Sequence, residues 1–159
     1  MWIVRSTIVT LLLLLVGACT NNTIYDVGVQ QPNNSGRKNE LKDDLQFMTI
    51  AYRDLFEKEI PVDALETMRK AYVSFGDKEL VIDEVVQSFL LSPELSLPNQ
   101  QDIQNDIRTF ISNTYRRFYL RDPSDFELAY WESQLSTNDS LSARDIYYVF
   151  MTSQEYKYY

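Results

Sequence analysis

The 159-residue chain carries 15 basic and 23 acidic residues and no histidine, so its formal net charge is −8. An acidic chain is a poor ligand for nucleic acid, because binding to phosphates needs Lys and Arg to displace counterions. The lack of histidine removes the commonest general base and the commonest transition-metal ligand. One cysteine, Cys19, excludes an intrachain disulfide and a Cys-based metal cluster.

The first 18 residues have the pattern of a signal peptide. Arg5 precedes an uninterrupted run of apolar and small residues, Thr7 to Ala18, and Gly17 and Ala18 stand just before Cys19. A basic residue, an apolar region and a small-residue cleavage site are typical of an export signal. The run is shorter than the ~20 apolar residues of a membrane span, which favours cleavage over a permanent transmembrane helix.

The tetrapeptide Val16-Gly17-Ala18-Cys19 resembles the lipobox of bacterial lipoproteins. The resemblance implies that Cys19 is acylated, as with palmitate, and becomes the first residue of the mature chain. The alternative is a secreted protein that keeps its cysteine. Thr20 follows the cysteine where an aspartate would retain an enterobacterial lipoprotein at the inner membrane. We therefore expect a lipid-anchored protein of the cell envelope, in the outer membrane, with its periplasmic or external orientation left open.

Residues 19–39 are predicted to be the lipidated cysteine and a flexible tether. The segment is rich in Asn, Gln, Gly, Ser and Pro, and such a composition buries too little apolar surface to fold. Removing residues 1–18 leaves 14 basic and 23 acidic residues, a net charge of −9. This charge argues against binding to anionic lipid heads, so the acyl group would be the membrane anchor.

Residues 40–159 are predicted to be all-α, with about six helices around one core. Gly76 is the only glycine in this range, and tight β-hairpins depend on glycine turns. Apolar residues recur every three or four positions, as helices require. The clearest series are Leu41, Leu45, Met48, Tyr52, Leu55; Leu65, Met68, Tyr72, Phe75; Ile82, Val85 or Val86, Phe89; and Ile103, Ile107, Phe110 or Ile111, Thr114, Phe118.

Residues 40–96 and 97–159 resemble each other and predict two three-helix repeat units, named here the first and the second unit. The alternative is chance similarity between amphipathic helices. Repeated units of this size usually stack and bury each other's faces. Lys58 and Met68 stand where the second unit has Arg121 and Trp131. The paired positions are Phe47, Tyr52, Arg53 and Leu65 with Phe110, Tyr115, Arg116 and Leu128 (63 residues apart), and Phe89, Ser92 and Glu94 with Phe150, Ser153 and Glu155 (61 apart).

The drop in spacing from 63 to 61 residues predicts that the two units differ in one loop. We expect the loop around Ser74–Glu79 in the first unit to be longer than the loop around Ser136–Ser140 in the second.

The second unit resembles a helical domain of unknown function found, often in tandem, in bacterial secreted and surface proteins. It is also loosely similar to the helical linker domain of phycobilisomes. The resemblance implies a scaffold or adhesion role and no reaction. Leu120 replaces the family's glycine, so the turn before Arg121 is expected to be helical rather than tight. The residues on the pattern are Tyr115, Arg116, Arg121, Pro123, Leu128, Tyr130, Trp131, Phe150, Ser153, Glu155 and Tyr156.

The stretch from Arg121 to Trp131 is interpreted as a helix junction. Ser124 and Glu127 form the Ser-x-x-Glu pattern of a capping box, and Pro123 restricts the preceding chain. Ser142 with Asp145 is a weaker version of the same pattern. Arg121 and Asp122 are expected to tie the junction to a neighbouring helix. Phe118, Trp131 and Phe150 are expected in the core.

No catalytic, cofactor or metal site is predicted, because the chain lacks the nucleophile, phosphate-loop and EF-hand patterns. Adjacent tyrosines cannot all face inward, so Tyr147, Tyr148, Tyr158 and Tyr159 are expected to form an interaction surface. The predicted function is a lipid-anchored envelope scaffold that binds a protein partner. The alternative is a glycan-binding accessory module that uses exposed Tyr, Trp and carboxylates.

Overall fold

The computed structural model describes residues 40–158, which form eight α-helices. No β-strand occurs in this part of the chain, although Leu41 and Tyr158 form an isolated antiparallel bridge. Cys19, Tyr159 and the predicted signal peptide and tether lie outside the described residues. The helices are α1 (Asp44–Phe56), α2 (Val62–Ser74), α3 (Lys78–Leu90), α4 (Gln100–Asn105), α5 (Ile107–Tyr119), α6 (Asp125–Thr137), α7 (Ala143–Thr152) and α8 (Gln154–Lys157).

Side-chain caps start most of these helices. Ser124 accepts a hydrogen bond from the backbone N–H of Glu127, and the Glu127 carboxylate accepts one from the backbone N–H of Ser124. Ser142 and Asp145 form a second such box at the start of α7. Each cap satisfies N–H groups that lack partners within the helix. The predicted capping boxes at Ser124 and Ser142 are confirmed.

Two short helices account for the difference from the six that were predicted. The Ile103–Phe118 series is not one helix, because it is interrupted at Asp106. This residue has φ −152° and ψ 74°, and its carboxylate accepts from the N–H of Thr109 at 3.0 Å, which starts α5. Ser153 likewise ends α7 and caps α8. Apolar periodicity continues across both interruptions, so it does not reveal them.

The core lies where α3 packs against α7, α5 against α6, and α1 against α3. Because α3 and α7 come from different predicted units, the two units share one core. The largest side chains that are less than 2% exposed are Met48, Val86, Ile103, Ile111, Thr114, Leu135, Ile146, Phe150, Met151 and Tyr156.

The C-terminal residues return to α1. The backbone N–H of Lys42 donates to the carbonyl of Lys157 at 2.9 Å. Tyr156 is fully buried; its ring meets Phe47 edge-on at 5.5 Å, and its hydroxyl donates to Asp54 at 2.8 Å. The end of the second predicted unit is therefore fixed to the first helix of the first.

The first and second helices of one predicted unit equal in length the helices at the corresponding positions of the other. α1 and α5 each contain 13 residues and start 63 positions apart, at 44 and 107. α2 and α6 also contain 13 residues each and start at 62 and 125. After α1 and α5 the chain enters the left-handed region at the same relative place, at Glu57 (φ 56°) and Leu120 (φ 56°).

The predicted loop difference is wrong. Residues 75–77 connect α2 to α3, whereas residues 138–142 connect α6 to α7, so the first unit has the shorter loop. The first unit gains its extra residues in its third helix, because α3 has 13 residues and α7 has 10.

None of the helices in residues 40–158 combines the length and apolar character needed to cross a membrane.

Candidate functional site: the Arg121 junction and the exposed surfaces

Arg121 joins two elements of the second unit. Its guanidinium donates to Glu127 on α6 at 2.7 and 2.9 Å and to Glu155 on α8 at 2.7 and 2.8 Å. It also lies over the ring of Tyr115, 5.0 Å from the centroid. The planar fork of arginine can hold two carboxylates at once, which the single charge of lysine cannot match in geometry.

The ionisation of this group follows from the contacts. Hydrogen bonds from Arg121 lower the pKa of Glu127 to about 2, and the Ser124 cap adds to the effect. Hydrogen bonds to Glu155 and then Glu127 raise the pKa of Arg121 above its already high value. Each ionised group of the site is therefore paired with an opposite charge, which suits a structural tie better than proton transfer.

The backbone before Arg121 is tight rather than helical, contrary to the expectation from Leu120. Leu120 has φ 56° and ψ 29°, the left-handed conformation that glycine adopts without strain. Its side chain is 80% exposed. Leucine therefore adopts a conformation that glycine takes more easily, and it carries a steric cost.

Asp122 is not part of the tie. Its carboxylate accepts from Arg116 at 2.6 Å, and both side chains are exposed. The pair stays within the end of α5 and the following loop, so the expectation that Asp122 holds a neighbouring helix is wrong. Arg121 alone of the two reaches another helix. Pro123 stands between Asp122 and the Ser124 cap.

The motif aromatics form a continuous cluster beneath Arg121. The Phe150 ring is 4.9 Å from Tyr115, 4.8 Å from Tyr119 and 5.5 Å from Trp131. Trp131 donates from Nε1 to the Tyr115 hydroxyl at 3.3 Å. Phe118 and Phe150 are buried as predicted, while Trp131 is half-buried at the edge of the cluster.

Ser153 forms a hydrogen bond with the hydroxyl group of one ring in this cluster. The Tyr119 hydroxyl donates to the Ser153 hydroxyl at 2.8 Å, and Ser153 also caps α8 by accepting from the N–H of Tyr156. Burial raises the pKa of Tyr119 to about 12, so its hydroxyl remains a donor. In the closing Ser-x-Glu-Tyr of the motif, Ser153 is thus a helix cap, Glu155 an ion-pair partner and Tyr156 a core residue.

Of the three predicted surface tyrosines within residues 40–158, only Tyr158 is exposed. Tyr147 is 6% exposed and lies against the rings of Phe110 and Phe118. Tyr147 lies on the same face of α7 as the buried Phe150, because the two are three residues apart. Tyr148 is half-buried and donates to Asp83 on α3. Tyr158 is exposed, and Tyr159 lies outside the described residues.

Sequence reasoning missed the polar contacts between the units. Asp54 accepts from the buried Tyr156, and Glu57 accepts from Arg117 at 2.8 Å. Burial is the main influence on Asp54 and raises the pKa of its carboxyl. These pairs are separated by 102 and 60 residues, and no spacing within the sequence links them.

Two exposed features were also missed. A groove of about 680 Å³ lies between α1, α3 and the C-terminal residues, with Leu41, Leu80 and Tyr158 on its rim. On α6, Phe126 is 81% exposed and Tyr130 is 51% exposed. The signal for the second feature was available, because Phe126 and Tyr130 lie four residues apart on the helix face opposite Leu128 and Leu135.

Within residues 40–158, no three Asp, Glu, His or Cys side chains are grouped so that they could hold a metal ion.

A comparison with known families found a match to part of the chain. Residues 86–159 match the Domain of unknown function (DUF4214). The matched segment begins within α3 and covers the second unit, with the Arg121 junction inside it. Searches of curated proteins and of solved structures found no match.

Proposed function

We propose that the chain is a lipid-anchored scaffold or adhesion-type binding module of the cell envelope, without catalytic activity. Acylated Cys19 would hold it in the outer membrane, and residues 19–39 would separate the folded helices from the lipid. In this proposal the folded domain acts by binding another envelope protein.

The observation that carries the proposal is the structural use of the motif residues. Arg121 forms ion pairs with Glu127 and Glu155, and Ser124 and Ser153 cap helices. Groups that are paired in this way hold a shape rather than act as a free acid or base. A domain whose distinctive residues maintain its fold while apolar side chains remain exposed is suited to binding.

We also infer that residues 40–96 and 97–159 are copies of one structural unit. The equal lengths of α1 and α5 and of α2 and α6 support this inference, as do the left-handed residues Glu57 and Leu120. A further argument is the ion pair between Lys58 and Glu94 at 2.6 Å, whose members stand at the positions of Arg121 and Glu155.

A glycan-binding module is the second candidate, favoured by one observation. Phe126 and Tyr130 expose aromatic rings on the same helix that carries the exposed Asp125. Aromatic faces and carboxylates together suit stacking on sugars and hydrogen bonding to their hydroxyls.

Fractionation tests the anchor. The full chain, expressed in a double-membraned bacterium, should sediment with membranes, whereas Cys19→Ala should move to the soluble fraction. Thr20→Ala, which keeps the cysteine, is the matched control and should stay with membranes. Membrane association of Cys19→Ala would contradict the proposal.

Site-specific photocrosslinking in intact cells tests the binding role. A photoreactive residue placed at Val73 or Tyr158, both exposed, should give discrete crosslinked species with an envelope protein. A photoreactive residue at the buried position Phe150 is the matched control. If neither exposed position gives a species that the control lacks, the scaffold function is wrong.

A further inference from the structure

The outward face of α6 carries an aromatic ridge, defined here as Phe126, Ala129, Tyr130 and Ser133. All four side chains are exposed, and at helical spacing they lie side by side. Phe126 is the most exposed of the large apolar side chains in residues 40–158, at 81%. The small Ala129 and Ser133 let another chain approach the helix backbone between the two rings.

The edge of the ridge leads into the core. The Tyr130 ring meets Trp131 at 5.5 Å with an interplanar angle of 75°, and Trp131 in turn packs on Phe150. Tyr130 is therefore supported from one side while half of its surface remains open. A rigid, partly supported aromatic ring is a common anchor in protein interfaces.

The fold does not require this ridge. In α2, which has the same length as α6, the residues 63 positions earlier are Asp63, Glu66, Thr67 and Lys70, and all are exposed. A polar surface is thus compatible with this helix. The aromatic rings of α6 need another explanation, and an exposed apolar patch usually marks a contact surface.

The acidic residues of α6 favour a partner with positive charge. Asp125, Glu127 and Glu132 give α6 three acidic residues, and the helix has no basic residue. Arg121 and Arg108 pair with Glu127 and Glu132, which leaves the exposed Asp125 beside the ridge.

The charge of the whole domain acts in the same direction. Residues 40–158 hold 22 acidic and 12 basic residues, a net charge of −10. This charge repels a second copy, an anionic lipid surface or nucleic acid, and it attracts a cationic chain.

We propose that the aromatic ridge binds a basic segment of an envelope protein. Arg or Lys side chains of that segment lie over the rings of Phe126 and Tyr130 and close to Asp125, and its apolar side chains pack on Ala129. Cations are attracted to the faces of aromatic rings, and arginine is the commoner partner. This inference rests on the proposed binding function and names its partner class.

Peptide titration of the full chain in detergent micelles tests the proposal. The probes are two labelled peptides of equal length and equal apolar content, one with Arg and Lys at its polar positions and the other with Glu and Asp. The basic peptide should bind, the acidic one should not, and added salt should weaken the complex. The double variant Phe126→Ala/Tyr130→Ala should bind the basic peptide more weakly, by a factor of about ten or greater.

Two further variants separate the contributions. Val62→Ala removes an apolar side chain of the first unit that is 79% exposed, and it should bind like the wild type. Asp125→Asn leaves the rings intact and should weaken binding by a smaller factor and flatten its salt dependence. Thermal unfolding midpoints of all variants should stay near that of the wild type, because each changed side chain is exposed.

Four outcomes would overturn the proposal. Both peptides could bind alike, or the ridge variant could bind the basic peptide as the wild type does. A neutral chitooligosaccharide could bind in its place and lose affinity in the ridge variant, which would favour the glycan module. Self-association abolished by the ridge variant would make a second copy the occupant. If crosslinks at Val73 or Tyr158 persist while the peptide test fails, the scaffold function stands and only the ridge assignment is wrong.

Discussion

The junctions after α1 and after α5 share a backbone and differ in chemistry. Both pass through a left-handed residue, Glu57 or Leu120, and both continue with a cation that pairs with a glutamate beyond the third helix. Lys58 makes a single contact with Glu94, and the two side chains are 53% and 64% exposed. Arg121 forms ion pairs with the carboxylates of both Glu127 and Glu155, and its side chain is 37% exposed.

The aromatic support differs in the same sense. Phe150 lies within ring-contact distance of Tyr115, Phe118, Tyr119 and Trp131. Its counterpart Phe89 meets Tyr52 and Phe56. The aromatic and ionic contacts around Phe150 are therefore more numerous than those around Phe89. A junction of this kind does not need arginine and tryptophan to form, but it is more tightly fixed with them.

Truncating the central phenylalanines should show the largest effect. Phe150→Ala should lower the free energy of unfolding by about 3–5 kcal/mol, because a buried ring is replaced by a cavity. Phe89→Ala should cost roughly 1–2 kcal/mol less, since two fewer aromatic pairs are lost. Denaturant unfolding of both variants gives the values. Equal losses would mean that the aromatic clusters of the two units support the fold equally.

The second-largest loss of stability is expected when Arg121 is replaced. Arg121→Gln should cost about 1–2 kcal/mol, a value reduced for partial exposure, because it leaves the carboxylates of Glu127 and Glu155 without their common partner. Arg121→Lys should recover part of this loss, since lysine restores the charge without the fork. The reciprocal change Lys58→Arg should leave the unfolding midpoint unchanged. A clear gain from Lys58→Arg would show that the first junction can also hold a fork.

The ion pair also predicts a pH dependence. The pKa of Glu127 falls from 4.5 to about 2 on folding, so its contribution is present above pH ~4.5 and is lost as the pH falls toward 2. Asp54 acts in the opposite direction, because burial raises its pKa and acid relieves the cost of its charge. We therefore compare Asp54→Asn with the double variant Asp54→Asn/Arg121→Gln by urea unfolding. The difference between their free energies of unfolding should shrink as the pH falls from 5 to 2. A constant difference would contradict the assigned pairing.

The smallest expected effect is a gain at the left-handed residues. Leu120→Gly should stabilise the chain by about 0.5–1 kcal/mol, because glycine adopts positive φ without the clash of a Cβ. Glu57→Gly should gain less, since it also removes the pair with Arg117. Thermal unfolding resolves the two variants. A loss of stability in Leu120→Gly would mean that the exposed leucine side chain makes a contribution larger than its backbone strain.

Local features were predictable because their partners lie within one helical turn. The boxes of Ser124 with Glu127 and of Ser142 with Asp145 span three residues each, and both occur as expected. The helical class followed from the scarcity of glycine and from apolar spacing. The break at Asp106 escaped prediction because its apolar neighbours keep the same period on both sides.

Features that depend on distant partners were not predictable in the same way. Tyr147 and Tyr148 are adjacent and chemically identical, yet one is buried against Phe118 and the other reaches Asp83. Leu120 takes a glycine-like conformation because the junction on both sides of it is fixed.

An acidic, all-α chain with capped helices could be predicted, since these properties depend on composition and on neighbours a few residues apart. Helix packing determines that Arg121 joins Glu127 to Glu155 and that Tyr147 lies in the core. It also determines that the rings of Phe126 and Tyr130 are exposed. Each of these outcomes depends on which helices pack together, and contacts between residues tens of positions apart leave no periodic trace in the chain.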